Sequence, residues 1–249
     1  MKIKLDKSLY IASPWPAAYI EDANILVMSD LHLGIEGYLE DEGIFLPRGV
    51  SRSTAEIVFR AIEDYRPEMV VFNGDLKHSF GLLKSSEWRE LTEFFRRLKE
   101  EYNLLVHVVR GNHDNYLSVI LDKFGFKMVD RYDVGDITII HGHKEESIDK
   151  FNEIIVIGHE HPSIVIRDEA GGKYRFKCFL WGDIGGKKIL VLPPVSEISS
   201  GTSFNNYELV EPLSPLLKDV DLGGFKPYAI VPGQIVRELP TLEILKDLL

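Results

Sequence analysis

The chain has 249 residues, 45% of them apolar and 27% charged, with a net charge of −10. It is long enough to bury a sizeable core, and its acidity argues against a broad basic surface for gripping duplex nucleic acid, which needs clustered Lys and Arg. No run of about 18 apolar residues occurs, so no membrane span is expected.

The N-terminal stretch Met1–Trp15 has no long apolar run after its lysines, so no secretory leader is expected, and the lone Cys178 agrees with a reducing, cytoplasmic setting. Five β-branched-rich apolar runs follow in chain order: Ile25–Met28, Met69–Phe72, Leu104–Val109, Ile137–Ile140 and Ile154–Ile157. Each predicts a buried strand covered on both faces. Between the first two, Ser53-Thr-Ala-Glu56 reads as a capping box that opens a helix with Ile57, Ala61, Ile62 and Tyr65 on one face and Pro67 beyond its end. The spacing of Trp88, Leu91, Phe94, Phe95, Leu98 and Tyr102 predicts a second helix, with these aromatics in the core. A third is expected to start near Asp114 or Asn115 and to stop at Gly125. After residue 162 the pattern becomes hairpins, Ile164–Arg167 with Tyr174–Phe179 around Gly171-Gly172, then Lys188–Leu192 after Gly185-Gly186. Thr241 should cap a short terminal helix. The predicted class is α/β: two packed mixed β-sheets forming a sandwich flanked by helices. One domain over 1–249 is expected, with 211–249 as a C-terminal extension.

Each of the five runs ends in a polar cluster: Ser29-Asp30-Leu31-His32, Asn73-Gly74-Asp75-Leu76-Lys77-His78, Gly111-Asn112-His113-Asp114, His141-Gly142-His143 and Gly158-His159-Glu160-His161. Open α/β sheets bind ligands beyond the carboxyl ends of their strands, so the five loops should converge. Of eight histidines, only His107 lies inside a run, where it reads as packing. Carboxylate and amide oxygens with neutral imidazoles suit borderline divalent ions. Asp30 and His32 are two apart, so on an extended segment both would face one ion, and His159 and His161 repeat the spacing. Asp75, with two oxygens, is the natural bridge. Asn112 and His113 should point in different directions, one to metal and one to substrate.

Asp-x-His, Gly-Asp-x-x-His, Gly-Asn-His-Asp, His-Gly-His and Gly-His-x-His, in this order and each after a strand, resemble the calcineurin-like metallophosphoesterases. Ser29–Gly34, Gly43-Ile-Phe-Leu-Pro47, Gly158-His-Glu-His-Pro162 and Val191-Leu-Pro-Pro-Val195 followed by Gly201 are similar to its ICC-like branch, which includes bacterial members encoded beside DNA ligases and helicases. The resemblance implies two divalent transition-metal ions, Mn first, with Fe, Zn, Co and Ni as alternatives. One ion would be held by Asp30, His32, Asp75 and His161, and the other by Asp75, Asn112, His141 and His159. It further implies a bridging hydroxide as nucleophile and His113 as the group that protonates the leaving oxygen or stabilises the transition state. His78, a substrate contact or a support to the ligands, is the second catalytic candidate. Many members carry an acidic residue and then arginine where this chain has His78 and Ser79, and DNA-repair nucleases of the superfamily have a similar Gly-Asp-x-x-His. That departure favours a phosphodiester, because arginine suits a monoester's extra charge.

The partner expected is a phosphate ester, nucleotides and nucleic acid included. The alternatives are a phosphomonoesterase, a nuclease, or a non-catalytic metal-binding scaffold like the retromer member of the superfamily. Glu160, between two ligands, is expected to be solvated. Glu36 and Arg48 follow the first motif and could overhang the cleft. His143 reads equally as a cleft contact or an exposed loop residue, and Trp15 as a loop anchor.

Overall fold

A computed structural model describes residues 1–47, 49–199, 201–209 and 211–248. Its first half runs β1 (Ile3–Lys4), β2 (Leu9–Ile11), β3 (Ala18–Ile20), β4 (Ile25–Met28), α1 (Ile35–Asp41), α2 (Val50–Tyr65), β5 (Met69–Asn73), α3 (Ser85–Glu100), β6 (Leu105–Val109), α4 (Ser118–Phe124) and β7 (Lys127–Val129). These strands form one sheet in the order β1-β2-β3-β4-β5-β6-β7, antiparallel up to β4 and parallel from there. The second half adds β8 (Tyr132–Val134), β9 (Ile137–Ile139), β10 (Ile154–Ile157), β11 (Pro162–Arg167), β12 (Lys173–Ile184), β13 (Lys187–Val191), β14 (Thr202–Ser203), β15 (Lys226–Val231), β16 (Ile235–Glu238) and α5 (Leu242–Leu248). Its sheet is also mixed: β9, β10 and β13 are parallel, while β12 pairs antiparallel with β11, β13 and β15.

Side-chain alternation explains the layering, because successive residues of a strand face opposite sides. Val27, Val71 and Val109 point inward and meet Ile137, Ile139, Ile154, Val156 and Leu190 of the other sheet. Leu26, Met28, Val70, Phe72, Val106 and Val108 point outward onto Phe59, Leu91, Phe94 and Phe95 of the helices. Ile155, Ile157 and Val191 face the opposite layer, with Leu242 and Leu245 of α5. The class is therefore α/β, two mixed sheets packed together with helices outside. The terminal residues are joined to it, since β15 pairs with β12. Among the described residues, no helix is long and apolar enough to cross a membrane.

The first helix boundary differs from its sequence prediction. α2 begins at Val50, three residues before the supposed capping box, so Ser53 and Glu56 lie inside it. Its first amides are capped from a distance: Glu36 accepts hydrogen bonds from the backbone N–H groups of Gly49, Val50 and Ser51 at 2.5–3.1 Å. A carboxylate at a helix N-terminus satisfies orphan donors and complements the dipole. Glu36 thus closes a helix instead of overhanging the cleft, while Arg48 lies outside the described residues. α4 starts at Ser118, later than predicted, because Asp114 is drawn into the site; it ends at Gly125 in the left-handed conformation as expected. Trp15 anchors its loop by donating from Nε1 to Asp64 at 2.7 Å. His107 packs edge-on against Tyr132 at 5.0 Å.

Candidate metal centre

The strand-end loops are tied to one another by backbone hydrogen bonds. Asp30 N–H donates to Gly74 O, His32 N–H to Asp75 O and Leu33 N–H to Leu76 O, so the first two loops pair beyond their strands. Gly158 N–H donates to His141 O, joining the last two. Asn73 spans the two sheets: its Nδ2 donates to Ile140 O at 2.9 Å, and its own carbonyl accepts from Ser29 Oγ at 2.7 Å. The Pro-rich segment after β13 backs the first loop, with Val195 and Ser196 N–H donating to Ser29 and Asp30 carbonyls. Lys177 holds that segment by donating to the carbonyls of Pro194 and Ser196.

Within this frame, Asp30, His32 and His161 form one group of potential ligand atoms within 4.8 Å of one another, and Asp75, His141 and His159 form a second. His161 Nε2 stands 3.2 Å from Asp30 Oδ1 and 3.4 Å from His32 Nε2. His141 Nε2 is 3.3 Å from Asp75 Oδ2. Asn112 contributes a buried Oδ1 with no hydrogen-bond partner, and His141 Nε2 makes no well-aligned hydrogen bond although Asp75 Oδ2 stands 3.3 Å away. Buried polar atoms without partners are rare, and imidazole nitrogens set against carboxylates are what a cation would satisfy.

The backbone of the ligand candidates departs from the extended reading. Asp30, His32, Asp75, His159 and His161 all have positive φ, between 48° and 66°. Asp30 and His32 therefore reach one group through two left-handed residues, not through strand alternation. Such conformations cost of order 1–3 kcal/mol each and persist where the surroundings over-determine them. Here the cross-loop hydrogen bonds do so. Two glycines are demanded by close approach: a Cβ on Gly111 would strike the carboxylate and amide of Asp75, and one on Gly158 would strike Ser29 and Asp30.

Burial opposes ionisation of Asp30 and Asp75, yet the imidazoles beside them, His161 and His141, hold both below the ordinary carboxylate range. Burial pulls His32 down to about 3 and His159 to about 4, which leaves lone pairs available at neutral pH. Burial also works against a charge on His141, but Asp75 prevails and raises it to about 9. Tautomers follow from geometry: His141 Nδ1–H donates to Asn73 O at 2.8 Å, so Nε2 is the atom offered to Asp75.

His113 is oriented by the same device. Its Nδ1–H donates to the backbone carbonyl of His78, which leaves Nε2 3.8 Å from Asp75 Oδ2. A main-chain oxygen thus fixes the tautomer and the aim of the ring. The His78 ring lies 5.4 Å from His32 and 5.7 Å from His113, and His32, His78 and His113 form a further close group. His143 sits beside the second group, 5.3 Å from His141 and 6.1 Å from His159, half-buried and not an exposed loop residue.

Two supporting carboxylates escaped the sequence reading. Glu160 is fully buried, not solvated, and accepts from Leu213 and Ser214 N–H at 3.2 and 2.9 Å. Ser214 Oγ in turn donates to Gly142 O, so the C-terminal segment braces two ligand loops. Asp114, also fully buried, accepts from Gly111, Asp75 and Leu76 N–H, each at 2.9 Å. Burial and Asp75 raise its pKa to about 6. Replacing Asp114 with alanine would orphan three buried donors, and we expect a stability loss of about 3 kcal/mol, read as a lower denaturant midpoint at unchanged slope. A loss within about 0.5 kcal/mol would refute the clamp. The only local hint was a polar residue following Gly-Asn-His, which also suits a helix start.

The fold has solved counterparts. The solved structure of a nuclease, MPE, from Pseudomonas putida aligns with a TM-score of 0.66 at 21% identity, covering 96% of this chain and 99% of that one. The phosphoesterase Yfce from E. coli aligns at 0.43 and 16% identity, covering 87% and 98%. No curated protein matches. The family model described as Calcineurin-like phosphoesterase matches residues 23–201, the span that holds all five motifs. With more than half its length matched by that model, and with histidines and carboxylates clustered where its strands end, the chain belongs to the calcineurin-like phosphoesterase family.

Proposed function

We propose that this chain hydrolyses phosphodiesters at a binuclear metal centre. Asp30, His32, Asp75 and His161 would hold one ion, and Asp75, Asn112, His141 and His159 the other, with Asp75 shared. The donor set of imidazole nitrogens and carboxylate or amide oxygens suits Mn, Fe, Zn, Co or Ni, and we put Mn first. Two such ions supply Lewis-acid polarisation of the phosphoryl group and activation of water. The chain's own residues do the rest. The Nδ1–H bond to His78 aims His113 Nε2 into the site, where the ring, with both nitrogens protonated, would give its Nε2 proton to the departing oxygen as an oxygen from water replaces it on phosphorus. His78 lines the same space. The retained oxygen and nitrogen donors support this reading over a scaffold that has lost its metal residues.

One observation carries the preference for diesters. Ser79, where phosphatases of the superfamily often have arginine, is buried and turned onto Glu87, its N–H and Oγ donating at 2.9 and 2.6 Å. The neighbouring cation, Lys77, is also buried and occupied by the carbonyls of Ser79 and Gly81. Neither residue is free to meet the second negative charge of a monoester. We expect a higher kcat/KM for bis-p-nitrophenyl phosphate than for p-nitrophenyl phosphate with saturating Mn²⁺. An advantage for the monoester would overturn the proposal. Nucleotide-containing diesters fall within it, whereas tight binding of long duplexes does not suit a net charge of −10.

A further inference from the structure

Phe80 is an apolar ring left 58% exposed beside the most polar part of the molecule. Its centroid lies 3.7 Å from that of His113 with the planes 31° apart, so part of the ring rests on the imidazole while more than half of the residue remains open. The loop that carries it is held on every side. Buried Lys77 donates to the carbonyls before and after it, those of Ser79 and Gly81. Buried Glu87 accepts from Ser79 N–H and Oγ, and Asn115 Nδ2 donates to the Phe80 carbonyl at 3.2 Å. Two buried charges and a side-chain amide therefore fix the backbone of a residue whose own side chain is left open. Single exposed apolar side chains are common on protein surfaces, but this one is held by its loop against the imidazole of His113, with its outer part open to a ligand. Leu82, 71% exposed, follows two residues later.

We infer that Phe80 is a specificity-determining platform on which a planar aromatic group of the substrate stacks, in a nucleotide diester the base of the leaving half. The inference rests on the phosphodiester reading above, because His113 marks the side from which the leaving oxygen departs and Phe80 lies against His113. Stacking on an exposed ring tolerates any base, since each presents a π-face, and it needs no added positive charge, which suits this acidic chain.

The test uses the full, Mn²⁺-loaded protein and three substrates: a thymidine dinucleotide and its two counterparts with the base removed from one half or the other. Charge and leaving alkoxide are the same in all three. Removing the base of the leaving half, the half released with a free hydroxyl, should lower wild-type kcat/KM by roughly 5- to 150-fold, the range for one base stacked on an aromatic side chain, and removing the other base should not; the reverse pattern overturns the assignment. In Phe80→Ala that discrimination should vanish, and in Phe80→Trp it should persist. Equal losses by Phe80→Ala on base-bearing and abasic substrates would mean that the ring only braces His113, and the inference falls. It also falls if the wild type does not discriminate. Should the dinucleotides resist turnover, their inhibition of bis-p-nitrophenyl phosphate hydrolysis decides the matter, equal inhibition with and without the base overturning the platform. Failure of the wild type to hydrolyse bis-p-nitrophenyl phosphate would count against the phosphodiester reading itself, and is read separately.

Discussion

Replacing His113 with alanine should slow hydrolysis of a diester with an alkoxide leaving group by roughly 10²–10⁴, the usual range for losing a general acid, while metal content stays near wild type. The separation of the two effects follows from where the bonds go. His113 uses Nδ1–H on the His78 carbonyl and directs Nε2 at the site, whereas the neighbouring Asn112 offers the unpartnered oxygen. For p-nitrophenolate, which departs without a proton, the loss should be much smaller. Equal losses on the two leaving groups would reassign His113 to stabilising charge on the phosphoryl oxygens. Loss of metal together with rate would make it a ligand or a brace, and the acid role would fail.

Asp75→Asn should strip metal from both sites, with a loss of affinity beyond the roughly 10–100-fold that follows removal of an outer-shell partner. Asp75 is nearly fully buried, with Oδ1 accepting from His113 N–H at 2.9 Å and Oδ2 facing His141 Nε2 at 3.3 Å. An amide there would remove the charge that the proposed centre shares between its two ions, and can present a donor where an acceptor is required. Elemental analysis of the purified variant reads the outcome directly, and calorimetric titration gives the affinity of each site. Unchanged metal content would overturn the bridging assignment. Because Asp75 also receives the His113 amide, a circular dichroism spectrum and unfolding midpoint should accompany the measurement.

The sequence alone determined the five strands that lead into the site and the order of the polar loops at their ends. Apolar runs such as Ile25–Met28 and Ile154–Ile157 are local patterns, and a strand whose apolar stretch stops at Asp30 or His159 must place those groups at the sheet's edge. Side-chain chemistry of the same local kind narrowed the site to candidate metal ligands. What the sequence could not contain was the use of polar side chains to satisfy backbone groups far along the chain. Glu36 looked like an overhanging charge and caps α2; Glu160 looked solvated and anchors Leu213 and Ser214; Asp114 looked like a helix start and clamps the Asp75 loop. Each bond joins loops that meet only after the sheets have formed, and a buried amide takes whatever acceptor the tertiary structure delivers. The left-handed backbone of Asp30 and His32 has the same origin, since local preference permits it without requiring it and the cross-loop bonds to Gly74 and Asp75 fix it. The tertiary structure also decided how His113 is aimed, because its partner is a main-chain carbonyl, a group every residue carries and no sequence pattern can mark.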